Sequence, residues 1–228
     1  MKVLIPAVLL LLAPNNAGAQ SAPAKNLPKF LGRNITIVEP ERVDEFFPKG
    51  PASVCIEGPP QRQCYTAPEA FGNSPKVEVV QLTKDMAALL FSAESGGVSG
   101  WQIHFALLRP GTGKDLENLF PFSLSVSNQS QHEFWTDANI SDEPIFITAQ
   151  YVWGPDEGHY DEHRYIVSAY TWRSNSGDLS YYLEDQYMTV RKYDLDANDN
   201  ILASEKQDIL ARLARVKAET EREKRTPR

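Results

Sequence analysis

The amino-acid sequence predicts a mainly β fold, an antiparallel β-sandwich or partly open barrel with one C-terminal α-helix. Three observations lead there. Apolar residues alternate with period two along several segments, those segments are rich in β-branched and aromatic residues, and turn-forming clusters separate them without helical periodicity in between. Many short strands with no intervening helices favour antiparallel pairing over crossover connections.

In chain order, residues 1–19 read as a cleavable secretory signal peptide. Lys2 supplies the positive charge, Val3 to Pro14 the apolar run, and Ala17-Gly18-Ala19 the small residues ahead of a cut before Gln20. The apolar run is too short to span a hydrocarbon core of roughly 30 Å as a helix, and no later segment reaches the required ~20 apolar residues. The expectation is a secreted or periplasmic protein with no membrane span. Residues 20–32, rich in Pro, Ala and Lys, read as a linker or loosely docked arm, and 33–217 as a single β-rich domain.

Strands are expected at Ile35 to Val38, Val77 to Leu82, Ala87 to Ala93, Trp101 to Leu107, Phe122 to Val126, Ile145 to Trp153, His163 to Trp172 and Tyr181 to Tyr193. Trp101 to Leu107 shows the clearest period-two alternation, and Phe122, Leu124 and Val126, with serines between them, read as a half-buried strand. Residues 48–75 hold six prolines and read as an irregular loop. Cys55 and Cys64 are the only cysteines, and in an oxidising compartment such a pair is read as a disulfide pinning that loop. Ser204 and Gln207 form a capping box for a final helix, whose apolar stripe is Ile209, Leu210, Leu213 and Val216. The stripe stops after Lys217, so 218–228 is expected to be a disordered charged tail.

The formal net charge is −7, or −8 without Lys2; from Ser204 onward the chain carries a net +3, which leaves −11 on residues 20–203. An acidic body repels phosphate backbones, so nucleic acid is excluded as an expected partner.

Two constellations bear on metals. Asp194, Asp196, Asn198, Asn200 and Glu205 stand at places one, three, five, seven and twelve of a segment that resembles the calcium loop of EF-hand proteins, which implies Ca²⁺ held by carboxylate and carbonyl oxygens. The sixth place, where that loop turns on a glycine, is Asp199, and the segment before it reads as strand. The second constellation, Asp156 to His163, offers His159 and His163 among four carboxylates. A hydrolytic zinc site would need a third ligand such as His132 or His104.

No nucleophile elbow and no phosphate-cradling glycine loop is present, so no catalytic residue and no required cofactor is assigned. Trp153, Tyr170, Trp172 and Tyr182 are the candidate ligand-binding aromatics, provided that they share an exposed face. Asn34, Asn128 and Asn139 begin glycosylation sequons. The expected function is that of a secreted, non-enzymatic binding or envelope-interaction protein with an extracellular polymer or protein as partner. The alternatives are an extracytoplasmic metal-dependent hydrolase using the 156–163 loop, and a structural protein that docks a partner on its C-terminal helix.

Overall fold

The computed structural model describes residues 29–44, 47–96, 100–127, 129–158, 161–175, 178–194 and 200–225. The expected signal peptide and most of the arm lie outside them. Among the described residues, twelve strands and one helix follow in order: β1 (Ile35–Val38), β2 (Ser53–Ile56), β3 (Gln63–Thr66), β4 (Phe71–Thr83), β5 (Met86–Ser95), β6 (Gln102–Pro110), β7 (Leu116–Asn118), β8 (Leu124–Ser127), β9 (Gln131–Asp137), β10 (Ser141–Val152), β11 (Arg164–Asn175), β12 (Asp178–Met188) and α1 (Ile201–Arg225). The strands form three antiparallel sheets: a first sheet β1-β2-β3, a central sheet β4-β5-β6-β7 with β8 also paired to β6, and a third sheet β12-β11-β10-β9.

Three hydrophobic clusters order these sheets and the helix into four layers. The first sheet sends Val54 and Ile56 against Leu89, Phe91, Ala106 and Leu108 of the central sheet. The opposite face of the central sheet, with Leu90, Phe105, Leu107 and Phe120, packs on Phe146, Tyr170 and Tyr181 of the third. The far side of the third sheet, with Ile145, Ile147, Val167 and Tyr165, is covered by Ile201, Leu202, Ile209 and Leu213 of α1. The two inner sheets are thus buried on both faces. Their core strands therefore carry runs such as Ala88-Leu-Leu-Phe91 where a half-exposed sheet would alternate with polar residues. β6 follows the same rule: His104 through Leu108 are all buried.

Three expectations are corrected. Residues 48–75 contain a regular hairpin, β2–β3, in which Cys55 and Cys64 are directly opposed and joined by a disulfide. Prolines crowd that segment but spare β2 and β3: Pro48, Pro51 and Pro68 flank them, Pro59-Pro60 lie in the turn, and Pro75 falls in β4 where its register with β5 shifts between Asn73 and Lys76. The side chain of Arg33 holds that turn, donating to the carbonyls of Ile56, Glu57, Gly58 and Gln61 and to Gln63 Oε1.

The helix starts at Ile201, not Ser204, because Asn200 Oδ1 accepts from Ala203 N at 2.9 Å and so caps the first turn. It also runs on to Arg225, past the end of the apolar stripe, through a Glu- and Arg-rich segment with an i, i+4 pair of Glu221 and Arg225. Finally, β12 ends at Met188; Thr189 then bonds back to Tyr165 N and Arg191 O, which turns the chain toward α1.

Candidate functional site: a cleft between the last strand and the helix

β12 is the last strand of the third sheet, and α1 crosses the outer face of that sheet. Between them the strand end and the following loop form a cleft of about 600 Å³, lined by Met188, Val190, Arg191, Asp208, Ala211 and Arg215 among others. At its floor lies Glu205, only 7% exposed. The Tyr187 hydroxyl donates to Glu205 Oε2 at 2.9 Å, and the Tyr193 hydroxyl donates to Oε1. Burial, then the hydrogen bond to Glu205 and its negative charge, push the Tyr187 hydroxyl far above its ordinary range, so it stays a donor at all physiological pH.

Two guanidinium groups cover these rings. Arg212 lies 4.5 Å from the centroid of Tyr187 and Arg191 lies 4.9 Å from that of Tyr193. Arg212 is itself fixed by a two-pronged bond to Asp185 of β12, at 2.6 and 3.2 Å. The cleft therefore has a rigid polar floor, while its strand side is apolar and open: Met188 is 50% and Val190 is 91% exposed. Among the described residues, the outer edge of β12 is bonded to another segment where Tyr181 N donates to Leu119 O at 2.8 Å.

A second polar cluster lies at the start of β11. Glu157 accepts from Lys192 Nζ at 2.7 Å, from His163 Nδ1 at 2.9 Å and from Gly154 N at 2.8 Å. The hydrogen bond from Lys192, followed by those from His163 and Gly154, holds its carboxyl down to about 2. The His163 ring is 1% exposed and packs between Tyr151 and Trp153. Its Nε2 is buried, so the arrangement ties the 154–163 connection to the chain after β12 and presents no nitrogen to solvent. His159, the other candidate zinc ligand, lies outside the described residues; His104 is engaged with Tyr65 in the first cluster, and His132 packs on Phe105.

Of the calcium-loop residues, Asp196 and Asn198 lie outside the described residues, Asp194 is partly buried, Asn200 caps α1, and Glu205 faces the two tyrosines. Among the described residues, no three His, Cys, Asp or Glu side chains are grouped to hold a metal ion.

The four candidate aromatics do not share an exposed face. Tyr170 is buried between the central and third sheets, and Trp172 packs on that same cluster, edge-on to Tyr181 at 5.3 Å. Tyr182 pairs with Thr171 and so points to the other side of the sheet, while Trp153 is exposed near the Glu157 cluster. The third sheet is an inner layer, and its aromatics fill both of its interfaces.

The Glu205, Tyr187 and Tyr193 constellation escapes a reading by motif, yet a signal for it exists: Ile201, Glu205, Ile209 and Leu213 recur every four residues, which places a carboxylate on the buried stripe of the helix. No family model matches this chain, and neither a curated protein nor a solved structure matches it. No helix among the described residues is long and apolar enough to cross a membrane.

Proposed function

We propose that the protein is an exported, non-enzymatic binding protein whose receiving surface is the open edge of β12 together with the cleft against α1. The observation that carries this reading is the pair of exposed apolar residues, Met188 and Val190, lining a cleft whose polar groups are already fixed by one another. Solvent-facing apolar groups grouped on an open strand edge are a hazard that proteins usually blunt with charge or cover, and a retained group marks an interaction site. The ligand that fits is an extended polypeptide segment. Its backbone would add to the β12 edge, and its alternate side chains would meet Met188 and Val190. Export is supported by the leader-like N-terminus and by the Cys55–Cys64 disulfide.

The test is binding of the chain from Gln20 onward to immobilised peptide arrays and, in parallel, to a panel of polysaccharides. Peptides should be retained, and a Met188→Lys, Val190→Lys variant with unchanged melting temperature should lose about tenfold or more in affinity, about 1.4 kcal/mol. Peptide binding that the variant leaves intact would overturn the proposal, as would polysaccharide binding lost only in Trp153→Ala.

A further inference from the structure

His104 of β6 sits at the joint between the first and central sheets, 1% exposed. Its Nε2 shares a hydrogen bond with the Tyr65 hydroxyl of β3 at 2.9 Å, and its ring lies 5.2 Å from that of Phe71. The side chains that face it from β3, β4, β5 and β8 are Tyr65, Phe71, Ala93 and Ser125, of which Tyr65 alone titrates, and the backbone of Leu124 favours the charged ring to a lesser degree than burial opposes it. Burial pushes the Tyr65 phenol up, so it supplies no negative charge. A proton arriving on the imidazole would therefore be a buried charge without a counter-ion, and with both ring nitrogens turned into donors the Tyr65 hydroxyl would be limited to accepting.

We propose that this joint is an acid-responsive latch: mild acid opens the first sheet, with its disulfide hairpin, away from the central sheet while the third sheet and α1 stay closed. The geometry confines the effect. The first cluster is built from the first sheet and one face of the central sheet, whereas the third sheet and α1 are held by the other two clusters. The ring's proton affinity in the closed state agrees, since burial holds it down to about 4 from an ordinary value of 6.5. A base whose folded value lies below its free value keeps the fold closed above about pH 6.5 and loses that contribution as the pH falls toward 4. Between pH 7 and pH 5 the opening equilibrium should grow by about 25-fold from this group alone.

Amide hydrogen exchange on the full domain, expressed as protection relative to intrinsic rates, tests the latch from pH 7 to pH 5. Amides of β1, β2 and β3 should lose protection by about that factor, those of β10 and β11 should hold theirs, and a folded His104→Gln variant should abolish the difference. A companion NMR titration of the His104 ring in the unmodified protein covers the case in which the variant does not fold: the ring of the closed state should stay mostly neutral down to about pH 5 and gain its proton only toward about 4, below the range in which protection first falls. Protection in β1 to β3 that is indifferent to pH, a fall shared equally by β10 and β11, or a closed-state His104 ring that titrates at its ordinary value near 6.5 would each overturn the proposal.

Discussion

Replacing Glu205 with Ala removes the acceptor of one buried phenol, Tyr193, and one half-buried phenol, Tyr187, and the cost follows from the structure. Each hydrogen bond to a charged group contributes roughly 1.5–3 kcal/mol, and of the two orphaned hydroxyls that of Tyr193 stays buried against α1 while that of Tyr187 is half-buried. Relief from burying an ionised carboxylate offsets part of that. A net loss of about 2–4 kcal/mol remains, which for a domain of this size is a fall of roughly 5–15 °C in melting temperature. Thermal unfolding followed by circular dichroism at pH 7 measures it. The double variant with Tyr193→Phe isolates the pair: the coupling energy should exceed about 1 kcal/mol, since residues in one network do not add. A Glu205→Ala loss below about 0.5 kcal/mol, or strict additivity with Tyr193→Phe, would refute the view that this carboxylate fastens the helix to the sheet.

The remaining predictions concern the layers around it. Deleting residues 201–228 should unfold the domain: Ile201, Leu202, Ile209 and Leu213 each contribute roughly 1.5–3 kcal/mol by burial, together comparable with the ~5–15 kcal/mol that domains possess. A cooperative melt that survives the deletion would instead favour a helix reserved for an external partner. Gly72→Ala should destabilise by roughly 1–3 kcal/mol in chemical denaturation, because the added Cβ would lie 2.2 Å from the carbonyl oxygen of Gly50 and backbone has to move. Glu157 has a folded value below its ordinary 4.5, so its contribution is present above that pH and is lost as the pH falls toward about 2. The melting temperatures of the unmodified protein and of Glu157→Gln should differ at pH 6 and converge by about pH 2; a constant gap would contradict this linkage.

Much of the architecture was legible because local chemistry and tertiary context agree. β5, β10 and β11 announce themselves through apolar and β-branched runs, and Cys55 and Cys64 through their spacing. β9 escaped because Gln131-His-Glu-Phe-Trp-Thr-Asp is an edge strand with polar residues on both faces, and β2 and β3 because the prolines around them speak for loop. The helix start was misplaced by one turn since both Asn200 and Ser204 are good caps and only the docking of Ile201 decides between them.

The candidate site was less legible. Glu205 and Asn200 drew notice as calcium ligands, whereas the fold turns the first toward two tyrosines and the second onto the helix. Oxygen-bearing side chains at regular places suit several tasks, and only the approach of β12 to α1 shows which partners Glu205 meets. The aromatics of β11 and β12 likewise look the same in sequence whether they face solvent or a second sheet; here most face other layers.

The most direct test of the binding surface is an NMR titration of the isotopically labelled domain with an array-selected peptide. Shifts should concentrate on Leu183 to Val190 and on the α1 face from Ser204 to Arg215. Shifts centred instead on the Pro59-Pro60 turn or on Trp153, with β12 unmoved, would contradict the account.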